Sequence, residues 1–444
     1  MPPFVTEAKQ NNSDDKIVTI INGKVYDITD FINEHPGGPV IKTQIGIDAT
    51  DTFNAFHPPN IQEILTDYYD EELTKQYKLK GEKDNEFLKE IRNLKKDFEK
   101  EGLFKSNKPF YLMIGVLNIS IFLSSVIVLK HFGHTLIGVL ISALLMGLFW
   151  QQCGWHAHEY LHHQVFENRY LNNTVGGLFF GAVCQGFSPS WWKDKHNTHH
   201  ASPNVHNDDP DIDTHPFLAW SENVMELYTE LDDQELGSQM KLFMLNNQKF
   251  LFFPLLAFAR LSWCFFSLWY SLSNGQLGDK KKQFIPISPI EPLCLVLHWV
   301  INFFIAFYYP TTWIKSLLFL FFSQTSSGVL IAAVFSLNHN GMRILTKDEA
   351  NELDFYQLQI ETGRDVIPSY FMTWFTGGLN YQIEHHLFPT LPRHNFQFTQ
   401  KRVQALCNKY DIKYHCTGFF EGTMEVMDRL DRVSKMINSK LHLD

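Results

Sequence analysis

The sequence predicts an α-helical membrane protein, with four transmembrane helices plus interfacial and cytosolic helices, behind a small α+β domain at the N-terminus. Three observations carry this prediction. Apolar runs of spanning length fall in two closely spaced pairs. The first eighty residues are polar and contain a strand–turn signal. With 39 Phe and 10 Trp in 444 residues, the chain is unusually aromatic for a soluble protein. The mean hydropathy of −0.17 hides the apolar runs, because polar end segments average against them.

Residues 1–80 open the chain as a compact domain, in which Ile17 to Ile21 alternates as a strand and Asn22-Gly23 supplies a tight turn. Residues 81–108 interleave Glu, Lys and Asp at helical spacing and read as a solvated linker helix. Residues 109–444 make the membrane domain. There Phe110 to Leu129 carries no charge, a run of the roughly twenty residues that a helix needs to cross hydrocarbon. Thr135 to Trp150 follows at once, so the two form a hairpin. A second hairpin joins Pro292–Tyr309 to Trp313–Leu337 through Pro310-Thr311-Thr312.

Two further apolar stretches are expected to lie along the membrane surface. Val175 to Phe187 is too short to span, and Phe250 to Leu272 contains Pro254 and Arg260. A single crossing by the latter would place the histidines before and after it on opposite faces. Lys105, Lys108, Lys193, Lys195 and Lys280-Lys281-Lys282 then share the expected cytosolic side. No basic segment followed by an apolar one opens the first thirty residues, so the N-terminus is expected in the cytosol. A net charge of −10 with scattered cations gives no surface for nucleic acid. Cys153, Cys184, Cys264, Cys294, Cys407 and Cys416 stand far apart and read as buried, reduced thiols.

Within the first domain, His35-Pro36-Gly37-Gly38 follows a strand and turn, and His57 follows Phe53 and Phe56. Two histidines on separate short helices could grip one iron from opposite faces. The tetrapeptide alone is also a common turn. With Val25-Tyr26-Asp27-Ile28-Thr29-Asp30-Phe31 ahead of it, residues 15–80 resemble the cytochrome b5 fold. The resemblance implies haem b, with His35 and His57 as axial ligands and Gly37 and Gly38 admitting a close backbone approach. Two axial histidines leave no open iron position, so such a haem passes single electrons to another site.

The membrane domain gathers histidines beside its apolar runs. His158 and His162 are four apart and share one helical face, while His156 and His163 point elsewhere. His196, His199 and His200 share a face through spacings of three and four. His385 and His386 diverge by about 100° on a helix and could serve different metals or different sides of one. His339 ends the fourth span. Singly, each histidine could be a packed or hydrogen-bonded residue. Together, so many ionisable groups at membrane depth are costly unless they are used. About eight imidazoles suit two metal ions, whereas a zinc site takes three or four ligands.

These clusters resemble the three histidine boxes of membrane fatty acid desaturases. Gln382, in the place of the first histidine of the third box, and the cytochrome b5-like domain in front are similar to the front-end subgroup. The likeness extends to Trp191-Trp192-Lys193-Asp194-Lys195, to Asp209-Pro210-Asp211-Ile212-Asp213-Thr214-His215-Pro216 and to Gly378–Glu384. It is strongest toward fungal delta-6 desaturases in Phe335–Met342 and Leu391–Asn395. His156 and Glu159 depart from the usual apolar residue and Asp, and Glu can take over an orienting role.

The resemblance implies two non-haem irons held by His158, His162, His163, His196, His199, His200, His339, His385 and His386, with Gln382 in the catalytic set. It implies an endoplasmic reticulum enzyme that inserts a cis double bond at carbon 6 of an unsaturated C18 acyl chain. The acyl chain rides on phospholipid or coenzyme A, and oxygen, NADH-cytochrome b5 reductase and membrane lipid are the partners. Glu159, Asn197 and Glu384 are candidates for orienting imidazoles. Trp191, Trp192, Lys193 and Lys195 are read as interfacial anchors, with contact to the acyl carrier at the mouth of an apolar tunnel as the alternative, and Asp208, Asp209, Asp211 and Asp213 as a solvated loop. Delta-5, delta-8 and sphingoid-base desaturation, or hydroxylation, would use the same iron chemistry. A membrane-tethered haem carrier without catalysis is the reading from a different class.

Overall fold

The computed structural model describes residues 16–80, 85–229, 231, 235–275 and 287–441. Lys280-Lys281-Lys282 and the start of the expected linker lie outside the described residues.

In the small domain, β1 (Val18–Ile21) and β2 (Lys24–Asp27) pair antiparallel. Asn22 and Gly23 between them both take positive φ (52° and 68°), as a two-residue hairpin turn of this twist requires. The helix α1 (Thr50–Phe56) closes through Phe53 over a core of Ile21, Tyr26, Ile28, Ile32 and Ala49, and α2 (Glu71–Lys80) packs Leu73 and Tyr77 on Val18, Ile20 and Val25.

The helix α3 (Glu86–Lys100) corrects the reading of a solvated linker. Its Asn85 cap accepts from Leu88 N at 2.6 Å. Phe87, Leu88, Ile91 and Phe98 fall on one face and are buried against Tyr356, Ile383 and Phe396. The charges that dominated the sequence line the opposite face. An amphipathic helix needs a partner for its apolar stripe, and this one finds it beside the histidine-bearing segments.

Two helical hairpins form the membrane part. The first joins α4 (Lys108–Phe132) to α5 (Leu136–Leu161), and the second α10 (Glu291–Tyr308) to α11 (Trp313–His339). All four are long and apolar enough to cross a bilayer. Reciprocal bonds lock the first pair: Ser125 Oγ donates to Ser142 O at 2.8 Å, and Ser142 Oγ to Ser125 O at 2.7 Å. Gly147 brings α5 against Ser326 and Ser327 of α11, where a Cβ would collide. Lys130 and Lys315 stand at the far ends of these hairpins, so basic residues are not confined to the histidine side.

Between the hairpins come the three-residue turn α6 (Arg169–Leu171) and a π-helical stretch, Asn172–Gln185. They are followed by α7 (Pro189–Ala201), α8 (Leu236–Leu256) and α9 (Ala259–Leu272). The pair α8–α9 bends by 69° just past Pro254. One complete crossing there would carry His339 to the face opposite His199, yet those two meet in one group. The bent pair therefore returns to the side from which it started. The C-terminal part contributes α12 (Lys347–Glu352), α13 (Phe355–Thr362), α14 (Tyr370–Phe375), α15 (Gln382–Leu387), α16 (Phe396–Lys409) and α17 (Phe419–Leu441). A two-residue parallel pair, β3 (Asp365–Val366) with β4 (Cys416–Thr417), ties its ends together. The six cysteines are free, as expected, but Cys294 and Cys416 are only half-buried.

Candidate metal centre

Four elements end or turn at one place. The last turn of α5 supplies His158 with His162 just beyond it, α7 supplies His196, His199 and His200, α11 ends in His339, and α15 carries Gln382, His385 and His386. Gly377 and Gly378, at φ 65° and 86°, set the start of α15. A Cβ on either would strike Trp155 or Arg393, so no other residue lets the segment lie this close.

The imidazoles sort into two groups. His158, His162, His196, His200 and His385 bring one nitrogen each within 4.8 Å of the others, and so do His199, His339 and His386. In the first group the Nε2 atoms of His158, His162 and His200 all approach His196 Nε2, at 3.1, 2.9 and 3.0 Å. One ring nitrogen cannot serve three partners as donor or acceptor, whereas a shared cation satisfies all four lone pairs. Both ring nitrogens of His385 are buried without a hydrogen-bond partner. In the second group His339 Nε2 lies 3.0 Å from His386 Nε2 and 2.9 Å from the Gln382 amide. His200 and His386 join the groups by stacking at 3.9 Å.

Each member of the second group has its other nitrogen tied. His199 Nδ1 is 3.0 Å from Asp209, His339 Nδ1 is 2.9 Å from the Thr362 carbonyl, and His386 Nδ1 is 2.7 Å from Gln359 Oε1. Such bonds fix the ring and leave Nε2 for a metal. Burial holds His162, His196, His200, His385 and His386 well below the usual imidazole pKa, and neighbouring imidazoles add to this. They are neutral at pH 7, the form that binds metal. Burial works against a charge on His199, but Asp209 and Asp211 outweigh it and raise the pKa to about 9, so its site calls for a cation. The donor set fits two metal ions.

Several expectations need correction. His163 joins neither group, because the chain leaves α5 there at φ 60° and turns the ring away. Asp209 is not a solvated loop residue: it is 2% exposed, and the amides of Asn204 and Asp211 hold it on His199. Glu159 pairs instead with Arg393 at 2.8 Å, and Glu384 accepts from Tyr414 at 2.9 Å. No bond from Glu159, Asn197 or Glu384 to a grouped imidazole occurs among the described residues. Trp191 and Trp192 are buried rather than interfacial, and Trp192 stacks on His196 at 4.2 Å. Gln359 and Thr362 carried no signal in the sequence, since neither sits in a histidine cluster.

A cavity of about 620 Å³ reaches this centre. Trp191, Trp263, Phe266 and Phe335 line its apolar walls, and His158, His199 and Gln382 its polar end.

In the small domain His35 and His57 face each other with ring centroids 6.0 Å apart. Their Nδ1 atoms bond the Gly38 and Phe53 carbonyls, both at 3.1 Å, which leaves the Nε2 atoms free. Burial lowers the pKa of His35 and brings that of His57 to about 4, so both are neutral. A Cβ on Gly37 would press into the His35 ring. Two neutral rings, too far apart to touch and near enough for one metal to bond both, fit a haem iron.

The family model "Fatty acid desaturase" matches residues 135–418, most of the chain and all of the histidine groups. The chain belongs to the fatty acid desaturase family. A second model, "Cytochrome b5-like Heme/Steroid binding domain", matches residues 5–74 of this desaturase. Among curated relatives, an acyl-lipid (9-3)-desaturase of Physcomitrium patens is 37% identical over 97% of this chain and 78% of its own length. The delta(6)-fatty-acid desaturase fat-3 of Caenorhabditis elegans is 33% identical over 95% of this chain and 97% of its own length. A delta(8)-fatty-acid desaturase of Euglena gracilis is 34% identical over 92% of this chain and 93% of its own length. The desaturase is thus of the front-end kind, with an oxygen-dependent desaturase domain behind a cytochrome b5-like domain.

Proposed function

We propose that this desaturase inserts a cis double bond at carbon 6 of an unsaturated C18 acyl chain, in the manner of linoleate to γ-linolenate. The observation that carries the reading is the meeting of two buried imidazole groups at the polar end of an apolar cavity. Relatives named for delta-6 and (9-3) action support carbon 6, while a delta-8 relative of similar identity keeps that position as the alternative. His158, His162, His196, His200 and His385 would hold one iron, and His199, His339 and His386 the other; His163 is left out. Iron bound there supplies the oxygen activation that removing hydrogen from an unactivated methylene requires.

The chain's own groups do the rest. Trp191, Trp263 and Phe335 hold an acyl chain out of water, with two adjacent methylenes at the histidine end. Asp209, Gln359 and the Thr362 carbonyl keep three imidazoles aimed inward. Gln382, beside His339, faces the cavity and is placed to orient a polar reactant. The overall change takes up one oxygen molecule, two electrons and two protons for each double bond formed, with two waters released. His35 and His57 would hold the haem that delivers electrons singly, with an NADH-cytochrome b5 reductase resupplying it. Fusion raises the local concentration of that donor. The domain division 1–80, 81–108 and 109–444, placement in the endoplasmic reticulum, and a cytosolic N-terminus and histidine centre belong to the same proposal.

Expression in yeast fed linoleate tests it: gas chromatography should reveal a new double bond at carbon 6. A bond at carbon 5 or 8, hydroxylated lipid or unsaturated long-chain base would overturn the regiochemistry. A haem carrier without catalysis is separated by His199→Ala, which should abolish the product while the haem spectrum stays intact.

A further inference from the structure

The small domain is docked against the metal centre: the short helical segment Pro39–Gln44 packs on α7, and α1 reaches α3, Arg169 and the ring of His200. Arg92 of α3 grips Asp51 through Nη2 at 2.8 Å and Nε at 3.0 Å. Lys95 donates to the Asn54 carbonyl at 3.3 Å, and Arg169 to the Phe56 carbonyl at 3.1 Å. Three cations from other elements thus hold α1 from its first turn to its last residue. Its C-terminal end points at the histidine groups. The ring of Phe56 stands edge-on to His200, with centroids 6.3 Å apart and planes at 90°. The next residue in the chain is His57. Beyond His200 the stack on His386, planes within 10°, leads to the second group.

An aromatic ring at a domain contact is most simply a packing residue. Its position argues for more. It adjoins one expected haem ligand in the chain and one expected iron ligand in space, and it rides on a segment held by charged contacts from α3 and Arg169. Electron transfer between fixed centres falls steeply with the gap between them, so the residue that sets this gap sets the rate.

We propose that Phe56 is the positioning residue that couples the haem domain to the iron centre, so that electrons enter at the five-histidine group through His200. The inference rests on the reading of His35 and His57 as haem ligands and of the two groups as iron sites. Each transfer converts ferrous haem to ferric and one ferric non-haem iron to ferrous. No bond forms or breaks, and the reductase returns the electron to the haem from NADH. The His200–His386 stack then leads on to the second iron.

The test uses the full chain, loaded with haem and iron and reduced without oxygen by NADH and reductase. On mixing with oxygen and acyl substrate, haem reoxidation is followed by its absorption. Phe56→Ala should slow that step by about tenfold or more, the scale on which small misplacements act at a reacting centre. Its haem spectrum, midpoint potential and iron content should match the parent. Phe56→Tyr should keep close to the parent rate, and Arg92→Ala, which loosens α1 from α3, should slow reoxidation with the same unchanged spectrum and potential. Reoxidation of Phe56→Ala at the parent rate overturns the proposal, and so does a shifted haem potential, which would place the effect within the haem pocket. If haem in the unmodified protein stays reduced, the reading of the domain as electron donor falls as well.

Discussion

At the scale of single residues, His199 and His163 show how neighbouring chemistry decides a role. Both lie in histidine-rich runs at the membrane edge. His199 gains Asp209, a carboxylate held by two backbone amides and buried against the ring. His163 falls on a left-handed turn and meets neither group. Orienting partners of metal ligands are commonly worth about 10–100-fold in metal affinity or activity. Asp209→Ala should therefore lose iron and activity on that scale while the haem spectrum is retained. His163→Ala should leave iron content unchanged, and metal analysis of the two variants side by side checks both expectations. Asp209 was legible as a residue but not as a partner, because ten residues of chain separate it from His199 and only the fold closes that gap.

At the scale of elements, α15 is the shortest helix to carry ligands, and it feeds both groups through adjacent residues. Its position depends on Gly377 and Gly378, whose backbone no side-chain-bearing residue adopts easily. Gly378→Ala adds left-handed strain of about 1–3 kcal/mol and a collision with Arg393. Because His385 and His386 would shift together, both irons should be lost in this variant. Metal analysis showing full iron with lowered thermal stability alone would contradict that expectation. The spans were legible because length and lack of charge suffice to define them. The packing of α3 was not, because its apolar stripe is outnumbered by charges and its partners Tyr356, Ile383 and Phe396 lie hundreds of residues away.

At the scale of the whole molecule, two metal-binding units sit on one side of the four spans and touch through α1 and the segment Pro39–Gln44. The small domain and the segments that carry the grouped imidazoles have separate hydrophobic cores, so the two metals should part independently. A strong ferrous chelator should abolish desaturation without changing the haem spectrum, and added ferrous iron should restore it. Simultaneous loss of the haem bands would show that the small domain depends on the iron centre for its fold.

The sequence by itself determined the membrane class, the two hairpins, the small leading domain and all eight of the histidines that meet. These are local properties: a span is a run of apolar residues, and a shared helical face is a spacing of three or four. The tertiary structure alone decided how eight histidines divide into five and three, which groups hold their rings, and where the haem domain rests. Those outcomes depend on contacts between segments far apart in the chain. Neither hydrophobic periodicity nor residue type encodes which distant partner a side chain will find once the spans are packed.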